Sequence, residues 1–183
     1  VAFLLIGYFG MWKDTMSTMS IITVCTLIAI ALGVPIGIVM ARSDRARTIV
    51  TPILDVMQTM PAFVYLIPVV MLLGIGKVPG VIAVVIYAIP PVIRLTNLGI
   101  RLVDRDVLEA ADAFGASGWQ RLVGVQIPLA LPTIMAGINQ TIMMALAMVV
   151  IASMIGVQGL GQPVLRSITN QYFTLGLLNG LAI

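Results

Sequence analysis

Asp104–Pro132 reads DRDVLEAADAFGASGWQRLVGVQIPLALP, the one long polar interruption in a chain that is otherwise almost continuously apolar. Asp106 and Glu109 form a D-x-x-E start resembling a capping box. Arg105 and Glu109 stand i,i+4, a pairing worth about 0.3 kcal/mol. Good helix formers run on to Phe114, and Gly115 falls where a helix stops by entering the left-handed region. Ser117 with Gln120 gives a second capping signal, so a second short helix is expected at once, ended by Pro128 and Pro132. The stretch is therefore expected to be helix, glycine corner, helix. Ala110, Ala111 and Ala113 keep its surface small, while Phe114 and Trp119 are anchors of the kind found at interface centres. The residues fit both an amphipathic connector lying on a membrane surface and a docking element.

The flanking sequence sets the class. Of 183 residues 60% are hydrophobic and 9% charged, with a mean hydropathy of +1.13. Soluble domains carry about 25% charged residues, so an all-α polytopic membrane protein is expected. The chain has no histidine, which excludes His-based acid–base chemistry and His metal ligation. Cys25 is the single cysteine; it cannot form an internal disulfide and is expected to pack as a small apolar residue. The net charge of +3 reports topology rather than nucleic-acid binding, because the basic residues lie in short inter-helix loops. Both ends look cut, as in a segment of a longer membrane protein.

A bilayer core needs about 20 apolar residues in a helix. One transmembrane domain over 1–183 is expected, with spans near 1–12 (partial), 16–41, 48–75, 81–98, 131–155 and 172–183 (partial). The polar loop covers 104–130. Gly33 and Gly37 have small-xxx-small spacing, which lets a neighbouring helix approach closely; glycines simply tolerated around Pro35 are the competing reading. Pro52, Pro61 and Pro68 interrupt the 48–75 span, and Gly76–Gly80 reads as a tight turn. Asp55 sits about two turns inside that span; an intramembrane carboxylate is a candidate pathway group, with pairing to an arginine the competing reading. Tyr65, Tyr87 and Asn139 are the other candidate pathway-lining residues.

If the polar loop faces the cytoplasm, Arg42, Arg45, Arg47, Arg94, Arg101, Arg105 and Arg121 lie inside. Lys13, Lys77 and Arg166 then lie outside. The positive-inside rule favours this orientation.

Within the polar loop, Glu109-Ala110-Ala111, three residues, Gly115, nine residues (116–124) and Val125-Gln126-Ile127-Pro128 follow one another. This spacing resembles the EAA loop of ATP-binding-cassette importer permeases, with Val125 and Ile127 at positions where that motif carries Ile and Leu. The later GVQGLGQPV (156–164) and the long 54–101 segment are similar to the permease subunits of glycine betaine/proline betaine importers. The resemblance implies a type I importer bundle in the cell inner membrane, present as a homodimer among lipid. It implies a cytoplasmic ATP-binding subunit docking on Glu109, Ala110, Ala111, Phe114, Gly115, Trp119, Ile127 and Pro128, and a periplasmic substrate-binding protein. Alternating access is the implied mechanism, with no catalytic residue, metal or cofactor on this chain. No G-x-x-x-x-G-K-[ST] motif is present, so ATP and Mg²⁺ are expected on the partner. Choline or an amino acid is the alternative substrate. An ion-coupled secondary transporter would instead call for intramembrane ionisable pairs and an inverted repeat. An intramembrane enzyme would need a catalytic pair that the spans do not supply.

Overall fold

The structure, a computed structural model, describes Gly7 and residues 10–182. The expected partial span over 1–12 lies largely outside the described residues. The described residues form helices α1 Trp12–Arg42, α2 Asp44–Thr59, α3 Ala62–Leu73, α4 Lys77–Arg101, α5 Arg105–Ala113, α6 Gly118–Arg121, α7 Ile127–Ala152, α8 Gly161–Thr169 and α9 Phe173–Ala182. A π-helical turn, Leu122–Gln126, joins α6 to α7, and a short 3₁₀ turn, Ser153–Ile155, follows α7. Trp12–Arg42, Lys77–Arg101 and Gly118–Ile155 are each long and apolar enough to cross a membrane.

Several boundaries differ from the sequence reading, each for a local reason. Lys13-Asp14, which fall between the expected 1–12 and 16–41 spans, lie in the first turn of α1, where an acidic side chain suits the positive pole of the helix dipole. The expected 48–75 span is interrupted, with α2 ending at Thr59 and α3 starting at Ala62. The break falls at Met60-Pro61, since proline has no amide hydrogen to continue a helix and disfavours helical backbone in the residue before it. The expected turn at Gly76–Gly80 is instead mostly the first turn of α4, where Pro79 loses nothing because first-turn amides have no intrahelical partner. Pro128 and Pro132 do not end α6. The π-turn carries the helix onward, its Ile127 amide donating to Leu122 O, and both prolines fall inside one continuous helix.

Contacts group the chain into two compact units: Val1–Ala29, Thr59–Ala88 and Ile142–Ile183 form the first, and Ile30–Gln58 and Ile89–Thr141 the second. The first has a core of Ile22, Cys25, Leu66, Val84, Met148, Val149 and Val157, among others. Within it the Thr18 hydroxyl donates to Asp14 O and accepts the Leu160 amide, both at 2.9 Å. This buried bond ties the glycine-rich break after α7 to α1. In the second unit α1 and α4 pack through glycines. A Cβ at Gly33 would come within 2.4 Å of Val92 Cγ1, and one at Gly37 within 2.6 Å of Thr96 Cβ. The small-xxx-small spacing is thus a close helix contact, the arrangement lipid favours where burial gives little driving force. Two apolar clusters lie in this unit, one of Met40, Leu54 and Ile93 and one of Ile100, Leu122, Ala130 and Ile134.

Candidate docking corner

The polar stretch begins with Asp104, whose carboxylate accepts the Asp106 amide at 3.0 Å. Asp104, not Asp106, is therefore the N-cap of α5. At the other end the Gly115 amide donates to Asp112 O at 2.9 Å and the Ala116 amide to Ala111 O at 3.1 Å. Those nested bonds satisfy the last carbonyls of α5 and need a left-handed residue between them; Gly115 supplies it at φ +76°. Ser117 then starts α6 with a full capping box: its amide donates to Gln120 Oε1 at 2.8 Å and its hydroxyl accepts the Gln120 amide at 3.4 Å. Helix, glycine corner and helix are all present.

Beneath the corner the chain is apolar and packed. Leu122 is 1% exposed in the cluster with Ile100, Ala130 and Ile134, and Ile127 packs against it. Ile127, counted among the docking residues, thus belongs to the foundation, while Pro128 is exposed in the helix that continues from α6. Outward, the corner is uncovered: Phe114 is 93% exposed and Trp119 67%, with Glu109, Ala110, Ala113 and Gly115 exposed beside them and Ala111 half-buried. Two large aromatic side chains on a polar element suit a partner better than lipid, because neighbouring Asp112, Arg121 and Glu109 would resist burial in hydrocarbon.

Two arginines tie other helix ends near this corner, and a third joins its own two helices. Arg101, in the last turn of α4, donates from Nη2 to Met40 O at 2.9 Å and to Asp44 Oδ1 at 2.7 Å. One guanidinium thereby satisfies a terminal carbonyl of α1 and meets the start of α2. Arg42 reaches α6: a Cβ on Gly118 would lie 3.7 Å from its Nη2. Arg121 Nη1 donates to both carboxylate oxygens of Asp112, at 2.9 and 2.6 Å. Sequence reasoning used Arg101 and Arg121 only as topogenic charges. The available signal was the placement of Asp112 and Arg121 on either side of Gly115.

The pathway candidates fall into separate settings. Asp55 on α2 is ion-paired with Arg94 on α4, the arginine-paired alternative read from sequence. Asn139 is exposed on α7 in the same unit. Tyr65 and Tyr87 belong to the first unit, their rings edge to face with centroids 5.6 Å apart. Tyr65 is 7% exposed and Tyr87 half-buried, and both pack in the core of that unit. Among the described residues no group of three or more His, Cys, Asp or Glu side chains is placed to hold a metal.

Fold and corner together define a class: a polytopic α-helical membrane protein carrying an exposed helical corner next to a span. Residues 33–183 match the family described as binding-protein-dependent transport system inner membrane component, and the chain belongs to that family. It is 55% identical over its full length to the glycine betaine/proline betaine transport system permease protein ProW of Escherichia coli (strain K12), covering 52% of that protein. It is 53% identical, again over its full length, to the glycine betaine/carnitine transport permease protein GbuB of Listeria monocytogenes serotype 1/2a (strain 10403S), covering 65% of it. The chain thus spans about half to two thirds of the length of these curated relatives. Its fold is similar to a chain of the inward-facing MetNI methionine ABC transporter, with a TM-score of 0.76 and 19% identity over 94% of this chain and 90% of that one.

Proposed function

We propose that this chain is the membrane-spanning permease part of an ATP-driven, binding-protein-dependent importer, working as a homodimer by alternating access. The observation that carries the reading is the uncovered corner Phe114–Gly115–Trp119, built on the EAA spacing and seated on the packed Leu122 foundation. A separate cytoplasmic subunit holds ATP and Mg²⁺ and docks there. A periplasmic binding protein delivers the substrate. Closure of the ATPase pair moves the corner, and the helix that begins at Gly118 carries the movement into the span. Full-length similarity to permeases named for glycine betaine supports a betaine-type osmoprotectant as cargo.

The test is uptake of labelled glycine betaine into proteoliposomes containing the permease, its ATPase and its binding protein, with competing solutes added. The expected result is ATP- and binding-protein-dependent uptake, competed by unlabelled betaines. Preferential competition by choline or an amino acid would reassign the cargo. Uptake driven by an ion gradient without ATP would overturn the coupling reading. As a second arm, Glu109→Lys is expected to weaken co-purification of the ATPase several-fold. Unchanged co-purification there would count against docking at this corner.

A further inference from the structure

Little apolar burial holds α5 in place, with only Leu108 and Ala111 half-buried. None of its residues is buried, Phe114 after it is almost wholly exposed, and a Cβ on Gly115 would meet nothing within 4 Å. Packing therefore does not fix the angle between α5 and α6. Among the described side chains the polar tie between them is the bond from Arg121 to Asp112, added to the backbone of residues 114–117. The two partners sit at informative places. Asp112 lies on α5, the helix that carries Glu109, Ala110 and Ala111. Arg121 is the last residue of α6 and continues through the π-turn and α7 as the helix Gly118–Ile155. One nitrogen, Nη1, straddles both carboxylate oxygens while Nε is buried without an acceptor. The guanidinium is thus held end-on, its forked face unused.

We propose that Asp112 and Arg121 are positioning residues that couple the docking helix to the membrane span. The inference rests on the docking reading above and deepens it. In this role the pair does not bind the ATPase. It makes α5 and the Gly118–Ile155 helix move as one body, so that displacement of the corner is not lost as rotation about Gly115. A charge pair with its carboxylate 51% exposed contributes modestly, and the transmission it supports is expected to change by about threefold.

The test uses the complete reconstituted transporter. Asp112→Asn, Arg121→Gln and the reversed pair D112R/R121D are compared for ATPase co-purification, ATP hydrolysis, and substrate taken up per ATP hydrolysed. The expected result is normal co-purification and hydrolysis in all three, with uptake per ATP reduced about threefold in each single variant and restored in the reversed pair. A purely structural role would lower assembly and hydrolysis together, and that outcome overturns the inference. Single variants at the parental coupling ratio, or a reversed pair no better than the singles, also overturn it. Gly115→Val in parallel separates this failure from failure of docking. If Gly115→Val uncouples while the ion-pair variants do not, only this inference falls. If Gly115→Val is also neutral, the docking reading falls and takes this inference with it.

Discussion

Gly115 shows how far one residue can be read and what the structure adds. Its place after the run of helix formers ending at Phe114 marked it as a stop, and the backbone at φ +76° agrees. The structure adds that the space around it is empty. A substitution there acts through the backbone alone, at about 1–2 kcal/mol for an ordinary side chain in the left-handed region. Gly115→Val, with a β-branched side chain, is expected to leave insertion and membrane level unchanged while redirecting α5 and abolishing substrate-stimulated ATPase activity. Gly115→Asn should be milder, because asparagine visits this region more readily. Equal damage from both would show that bulk at the corner, not backbone conformation, is what matters. Other residues were less legible. Asp55 offered two readings because its partner, Arg94, lies 39 residues away, and no local pattern encodes so distant a pairing. Asp112 and Arg121 gave less: each is an ordinary helix residue until the corner brings them together.

Helices were legible wherever a single local signal dominated. The long uncharged runs gave α1, α4 and α7, and the S-x-x-Q pattern gave the start of α6. Errors gathered at prolines, whose effect depends on what the neighbouring backbone does. Pro61 falls at the break between α2 and α3, yet Pro90 and Pro91 are buried within α4. Pro128 is accommodated just after a π-turn, a device that shifts the hydrogen-bond register and leaves no mark in composition. The glycines divide in a similar way. Gly37 is held against backbone: an added Cβ would approach Ile93 O to 2.8 Å as well as Thr96 Cβ. Gly124, in the π-turn, would meet nothing within 4 Å. Gly37→Ala is therefore expected to lower thermal stability in detergent, by about 1–3 kcal/mol as overpacked cores do, whereas Gly124→Ala should be close to neutral. Thermal unfolding of the two purified variants decides this. Indistinguishable midpoints would mean that α1 and α4 do not pack this closely in the protein.

At the scale of the molecule, packing and charge divide the chain along the same line. Contacts alone separate the two units, yet all seven arginines counted as cytoplasmic fall in the second, and Lys13, Lys77 and Arg166 in the first. The second unit also holds Asp44, Asp55, Asp104, Asp106, Glu109 and Asp112, leaving Asp14 as the one acidic residue of the first. Positive-inside counting concerns arginine and lysine in short loops and is nearly blind to carboxylates. The six acids therefore do not weaken the orientation, and three of them are engaged by Arg94, Arg101 and Arg121. This gives a direct test of sidedness at the corner. In a Cys25→Ser background, which removes the native thiol, Ala113→Cys places a new thiol on an exposed position of α5. A membrane-impermeant maleimide is expected to label it in inside-out vesicles and leave it unmodified in intact spheroplasts. Adding the purified ATPase to the inside-out vesicles should then slow that labelling several-fold, since the docked subunit would cover α5. Labelling from the outer face would place the corner on the wrong side of the membrane for any cytoplasmic partner. Unslowed labelling in the presence of bound ATPase would leave the sidedness intact and move the docking surface away from α5.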